Sequence, residues 1–409
     1  MISHAARFAL SLGATSSLFA LAPIHAHALS GHLAYLKGGG VQVTNLADGR
    51  VQSVSHTGQV TTLSLAPQGG RLLLFKSQYD KSITGPRALM ALPPYKTLVA
   101  LPSPLNSLSV NQVAWTRDGS QTLLVGSGKN NQPQAYLVTF RGGTAVTVKT
   151  LPSSDEGTLS GDGHFYAYTP NGDVRVRDLR TGREVTLLAW KKPGSLLAAL
   201  KKSANPKKMT DLVGAYDPEL ARENRNWVNG GLSFARDGKT LFFASNAGTS
   251  MGASGNTTFA YLAGDTRTGK LLPLSKVGAE FGRIPHIAQV SPDGLRLMYG
   301  TSAHSSAIDN PVFIDSVYLP TQTALPILTV PTKGPIDSNL EDGAAWSPDS
   351  RSIAVSAYFY NTEALGRLYE KNPNLDDALP AKFTLTIRDA RTGKVLKSIP
   401  GATRPSWGQ

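Results

Sequence analysis

The sequence predicts an all-β fold, a β-propeller of about seven four-stranded blades, and three observations carry that prediction. A strand–turn–strand unit, clearest at Gly343–Ala357 with its turn at Ser347-Pro348-Asp349-Ser350, recurs in degraded copies along the chain. A second turn, Asp-x-Arg-Thr-Gly, recurs at 178–182, 265–269 and 389–393. The last residues, Thr403–Gln409, match the opening strand of a unit with no unit after them, while the first unit lacks such a strand. Two turns per repeat make a four-stranded unit, and units of this period bury their faces only by stacking around a ring. Composition agrees: 40 Gly, 26 Pro and 17% charged residues in 409 suit many short strands and tight turns.

Taken in order, the first 28 residues read as an export signal. Arg7 is their one firm charge, Phe8–Ala22 is apolar and small, and Pro23 precedes Ala26-His27-Ala28, a small-x-small cleavage site. An apolar run of about 15 residues is short of the roughly 20 that span a bilayer. The expected organisation is therefore a signal peptide over 1–28 and a propeller over 29–409, soluble, monomeric, and periplasmic or secreted. No cysteine is present, which removes disulfides, thiolate metal sites, thiol nucleophiles and lipid attachment at a cysteine.

His32–Leu36 and Val41–Leu46 read as strands joined to the next by a turn at Ala47-Asp48-Gly49. Inner-strand copies then end in turns at 66–69, 116–119, 160–163, 235–238, 291–294 and 347–350. Where these residues occur, Pro sets φ for the first central position, Asp bonds its own backbone, and Gly takes the positive φ that other residues resist. An apolar β-rich run follows, such as Thr240–Ala244 or Leu295–Tyr299. The turn residues Gly238, Gly294 and Ser350 are 56 apart, and Gly119 and Gly163 are 44 apart. The C-terminal strand closes the ring against the N-terminal unit, giving seven blades, or six if the weak copy around Leu65 or Leu159 is not a full blade. Two departures from the repeat are read as short helical inserts. One is at about 190–225, where Leu196–Lys202 is helix-like and Asp217-Pro218-Glu219 resembles a helix start; the other is at about 361–377.

The Trp/Phe-Ser-x-Asp-Gly turns, best at 344–350 and 288–294, and the Asp-x-x-Thr-Gly turns at 178–182, 265–269 and 389–393 resemble the WD-like repeats of the TolB family of periplasmic propellers. The likeness spans 31–409. It implies a binding scaffold of the bacterial cell envelope that captures a protein or peptide. The same repeat also builds peptidase propellers and lyase-like domains, so the resemblance speaks to fold more than to function. One departure stands out: TolB carries an α/β domain before its propeller, whereas the first blade here begins just after the expected cleavage site.

Aligning the inner strands on their turns places one residue per blade at the channel mouth, eight positions before the turn Gly. These are Thr61, Asn111, Asp155, Gly230, His286 and Asp342, with Thr403 from the closing strand and Glu156, Glu341 and Arg404 one position away. The set forms a polar, partly acidic funnel in a basic protein, suited to a cationic peptide segment or polar small molecule. No cofactor is expected; Asp155, His286 and Asp342 are the three side chains that could converge on calcium, though without a spacing motif. No catalytic residue is assigned. Gly300-Thr301-Ser302-Ala303-His304 lacks the closing Gly of a nucleophile elbow, and Gly126-Ser127-Gly128-Lys129 lacks Walker spacing. The enzymatic alternative is a propeller hydrolase or lyase acting on an envelope glycan or small molecule, with Asp155, Glu156 or Asp342 as acid and base. The net charge of +13 points, outside the cytoplasm, to anionic glycans, lipid headgroups or acidic proteins rather than nucleic acid. A basic patch in the first insert, Lys191, Lys192, Lys201, Lys202, Lys207 and Lys208, suits such a partner.

Overall fold

A computed structural model describes residues 28–56, 58–77, 85–142, 144–154, 156–189, 229–246, 258–273, 280–281, 283–303, 312–319, 323–329, 343–359 and 382–409. Both expected helical inserts, residues 1–27 of the expected signal and the six patch lysines lie outside these residues.

The described strands form seven antiparallel sheets, six of four strands and one of five, the blades of a β-propeller. Numbered from the N-terminus, and with strands a to d in the order in which they pair, blade 1 is Ala402–Gly408, His32–Lys37, Gly40–Asn45 and Val51–Val54. Blade 2 is Val60–Leu65, Leu72–Lys76, Ala88–Ala91 and Leu98–Ala100. Blade 3 is Ser109–Trp115, Gln121–Ser127, Pro133–Arg141 and Thr144–Leu151. Blade 4 is Gly157–Leu159, Phe165–Tyr168, Val174–Asp178 and Glu184–Leu188. Blade 5 is Asn229–Phe234, Thr240–Asn246, Thr258–Asp265 and Leu271–Pro273, with the short strand Glu280–Phe281 added against Thr258–Phe259. Blade 6 is Arg283–Val290, Arg296–Ala303, Val312–Tyr318 and Thr323–Thr329. Blade 7 is Ala344–Trp346, Ser352–Phe359, Lys382–Asp389 and Val395–Pro400. The weak copies around Leu65 and Leu159 each head a complete sheet, which decides for seven. The expected strand donation is also present: Ala402–Gly408 pairs antiparallel with His32–Lys37, Trp407 opposite Leu33.

The a–b turns repeat one hydrogen-bond scheme. Thr116 Oγ1 donates to Asp118 Oδ1 (2.6 Å) and accepts from the Gln121 N–H (3.0 Å), while Asp118 Oδ1 accepts from the Ser120 N–H (3.0 Å). Ser160 with Asp162, Ser291 with Asp293 and Ser347 with Asp349 repeat the hydroxyl-to-carboxylate bond at 2.6, 2.5 and 2.6 Å. Such local bonds satisfy backbone donors that the turn removes from the ladder. Gly119, Gly163, Gly238 and Gly294 take φ of 64–77° at the close of the turn; Ser350 stands there at φ 62° and its Oγ accepts from the Asp293 N–H of blade 6 (2.9 Å). The c–d turns have their own scheme. Asp178, Asp265 and Asp389 each accept through Oδ1 from the N–H groups two and three residues further on, at 2.7–3.1 Å.

Both faces of the inner strands are buried, so successive residues serve opposite neighbours. In blade 2, Leu72 and Leu74 join the core shared with blade 1, and Leu73 and Phe75 join the core shared with blade 3. In blade 3, Leu124 faces blade 2 while Leu123 and Val125 face blade 4. Each such leucine contributes roughly 1.5–3 kcal/mol by leaving water. The series returns on itself: Leu33, Tyr35 and Trp407 of blade 1 share a core with Ala354, Leu385 and Ile387 of blade 7. Polar side chains stitch neighbouring inner strands as well. Thr62 Oγ1 donates to Val110 O (2.8 Å), Gln112 Oε1 accepts from the Gly157 N–H (2.8 Å), Ser233 Oγ from Val290 (2.9 Å) and Ser406 Oγ from Leu65 (2.8 Å).

Candidate functional site: the bulged rim of the inner strands

Strand a of each blade runs from the rim where the d–a and b–c connections meet to the opposite rim, where the a–b and c–d turns lie. The residues eight positions before the turn Gly stand at the start of that run. In three blades they share a feature that the strand pattern did not show. Val60 pairs with Lys76 and Thr62 with Phe75, so Thr61 is an extra residue without a ladder partner. Val110 pairs with Gly126 and Gln112 with Val125, which leaves Asn111 extra. Pro285 pairs with Thr301 and Ile287 with Gly300, which leaves His286 extra. Each is a β-bulge, a device that bends the strand and re-aims one side chain out of the sheet.

Two further blades bulge within a residue or two of the same step. In blade 5 the shift falls between Gly230 and Ser233, with Gly231 at φ 64°. In blade 1 it falls at Arg404 and Pro405 opposite Tyr35, with Arg404 at φ 53°. In the closing strand the special position is therefore Arg404 rather than Thr403, which pairs with Leu36. A non-glycine residue in that φ region costs on the order of 1–2 kcal/mol, held here by the surrounding ladder.

Among the described members of the rim, Asn111 is exposed, Glu156 is half-buried just ahead of strand a of blade 4, and Arg404 is half-buried. Thr61 Oγ1 donates to Phe75 O across its bulge (3.2 Å). His286 is placed by its backbone, and its side chain is outside the description. Asp155, Glu341 and Asp342 lie outside the described residues, so the acidic part of the funnel rests on sequence register. Among the described residues no three His, Asp or Glu side chains cluster as a metal ion would require. Gly126 and Ser127 end strand b of blade 3, and Gly128 and Lys129 begin its connection to strand c, with the Gly128 N–H donating to Gln132 O (2.9 Å).

The chain is similar to solved propeller proteins. TolB from Acinetobacter baumannii matches at 12% identity and a TM-score of 0.46, over 93% of this chain and 67% of that one. The periplasmic gluconolactonase of Pseudomonas aeruginosa matches at 15% identity and 0.48, over 92% and 97%. The tricorn protease matches at 9% identity and 0.49, over 90% of this chain but 34% of that much longer one. The likeness is one of fold. No family model matches the sequence, and neither does any curated protein.

Proposed function

We propose that the chain is an exported binding scaffold of the bacterial cell envelope that captures a segment of a partner protein at the bulged rim of its inner strands. The recurrence of the bulge carries this reading: Thr61, Asn111 and His286 occupy the same repeat step in blades 2, 3 and 6 and are each released from the ladder. A ring built only for stability gains nothing from breaking its innermost ladder repeatedly at one end. A ring that presents side chains around a channel mouth does, because rigid strands then hold the contacts. The reading requires no cofactor and works with a single copy. No helix among the described residues is long and apolar enough to cross a membrane.

The test is site-specific crosslinking in the native envelope. A photo-reactive residue at Asn111 is compared with one at Thr147, exposed on strand d of blade 3. The expected result is one discrete adduct from position 111, absent from 147 and lost on His286→Glu without a change in melting temperature. Equal labelling from both positions, or no adduct from 111, would sink the rim as the capture site.

A further inference from the structure

The opposite rim carries a cleft that the capture reading does not use. It lies between blades 4 and 5, encloses about 610 Å³, and is built from their a–b and c–d turns. Its apolar floor is Phe165, Val176 and Val185. Arg180 and Arg183 stand on the blade 4 bank, Lys239 and Arg267 on the blade 5 bank, and all four are exposed.

Four aspartates also line it, so the named ionic residues balance in charge. The hydrogen-bond inventory is not balanced. Asp162 accepts from the Ser160 hydroxyl and the His164 N–H, and lies 3.2 Å from the His164 ring. Asp178 accepts from the N–H groups of Arg180 and Thr181, Asp237 from that of Lys239, and Asp265 from those of Arg267 and Thr268. The turns thus take up part of the carboxylates' acceptor capacity, and the three guanidinium groups and one ammonium on the banks carry more donors than the remaining lone pairs can fill. Arg180 Nε is 3.7 Å from Asp178 Oδ1, a distance that leaves the guanidinium's other N–H groups open to a partner.

We propose that this cleft binds an acidic peptide segment in which carboxylates flank an apolar side chain. Guanidinium groups on facing banks match carboxylates on either side of a residue that rests on Phe165, Val176 and Val185. A volume of this size is within the range of ligand-sized sites, and a cleft open along the face of two turns admits a continuing chain. Because cations and aspartates balance, recognition depends on short-range donation rather than on a long-range field, and moderate salt should weaken it only modestly.

The experiment uses the chain from Leu29 onward, which carries every described strand, and a fluorescein-labelled peptide of alternating glutamate and leucine. Anisotropy should rise saturably. Arg183→Glu with Arg267→Glu should weaken binding by at least about tenfold, as charge-assisted bonds on both banks are lost, with melting unchanged. Lys239→Gln alone should give a smaller loss, and His286→Glu on the far rim none, which separates this site from the capture reading. The proposal is overturned by three results: no saturable binding, binding that survives the double substitution, or displacement by free glutarate at the same concentration as unlabelled peptide. The last would mark a small-diacid site.

Discussion

Trp407 offers a quantitative test of how far the ring depends on its final strand. Its side chain is 7% exposed and packs in the core shared by blades 1 and 7 with Leu33, Tyr35, Leu385 and Ile387. Its Nε1–H donates to Ser30 O at 3.0 Å. Trp407→Phe keeps most of the apolar body and removes the bond. Ser30 is exposed, so water can replace the donor, and the cost should be near the lower end of the usual hydrogen-bond range, about 0.5–1 kcal/mol. Trp407→Ala removes the body as well and opens a cavity between two blades, for about 4 kcal/mol. With a urea slope of roughly 3 kcal/mol/M or more, the alanine variant should shift the unfolding midpoint by about 1.3 M or less. The assay is equilibrium urea unfolding followed by tryptophan fluorescence and far-ultraviolet circular dichroism together. A loss below about 1 kcal/mol for Trp407→Ala would refute the reasoning, because the junction of blades 7 and 1 could not then depend on this strand.

Other consequences can be checked with similar means. Partial burial opposes ionisation of Asp118, Asp162 and Asp178, but the turn hydrogen bonds outweigh it and hold all three carboxyls below the usual range; in Asp265 the Thr268 N–H is the largest influence, in the same direction. Depressed folded-state values stabilise the fold above the unfolded pKa near 3.9, and that contribution disappears as pH falls through the lower folded values. Melting temperature should therefore drop between about pH 4.5 and 2.5, and Asp178→Asn with Asp265→Asn should flatten that drop; a rise on acidification would contradict the scheme. Gly126→Ala should cost about 1–3 kcal/mol or more, since its Cβ would lie 2.0 Å from Ser109 O, a backbone atom. Gly38→Ala, with no atom within 4 Å of its Cβ but φ 58°, should cost about 1 kcal/mol by the same unfolding assay. Burial raises the Tyr95 phenol to about 12, so in a spectrophotometric titration it should ionise well above the ordinary phenol value near 10.

Much of the fold was legible because its signals are local. Asp, Gly and Ser at fixed offsets impose the a–b and c–d turns whatever surrounds them, and the turns then count the blades. Even the worn copy behaved as expected: Asn45 Oδ1 accepts from the Ala47 N–H (3.0 Å), and the Gly49 N–H donates to Asn45 O (2.9 Å). The donated C-terminal strand was readable for the same reason, as a unit's opening without its remainder. The rim positions followed from register, but their bulges did not. A bulge belongs to two strands at once: Asn111 is extra only because Val110 and Gln112 pair with consecutive residues of strand b. The cleft between blades 4 and 5 was illegible for a related reason. Asp162, Arg183, Lys239 and Arg267 are far apart in sequence and of ordinary turn type, and only the stacking of two sheets brings them together. The two inserts break the repeat, so neither turn signal nor period constrained them.

The pairing of Leu33 with Trp407 has a consequence for how the molecule comes into being. The first of the described strands to be synthesised, His32–Lys37, has no inner neighbour until Ala402–Gly408 has been made. Until then blade 1 presents an open edge, a template for mispairing with any extended segment nearby. Joining residues more than three hundred positions apart is also the slowest kind of contact to form, since the loop entropy of nearly the whole chain is lost before the ladder returns anything. A chain organised this way completes its first blade only once Ala402–Gly408 has been made.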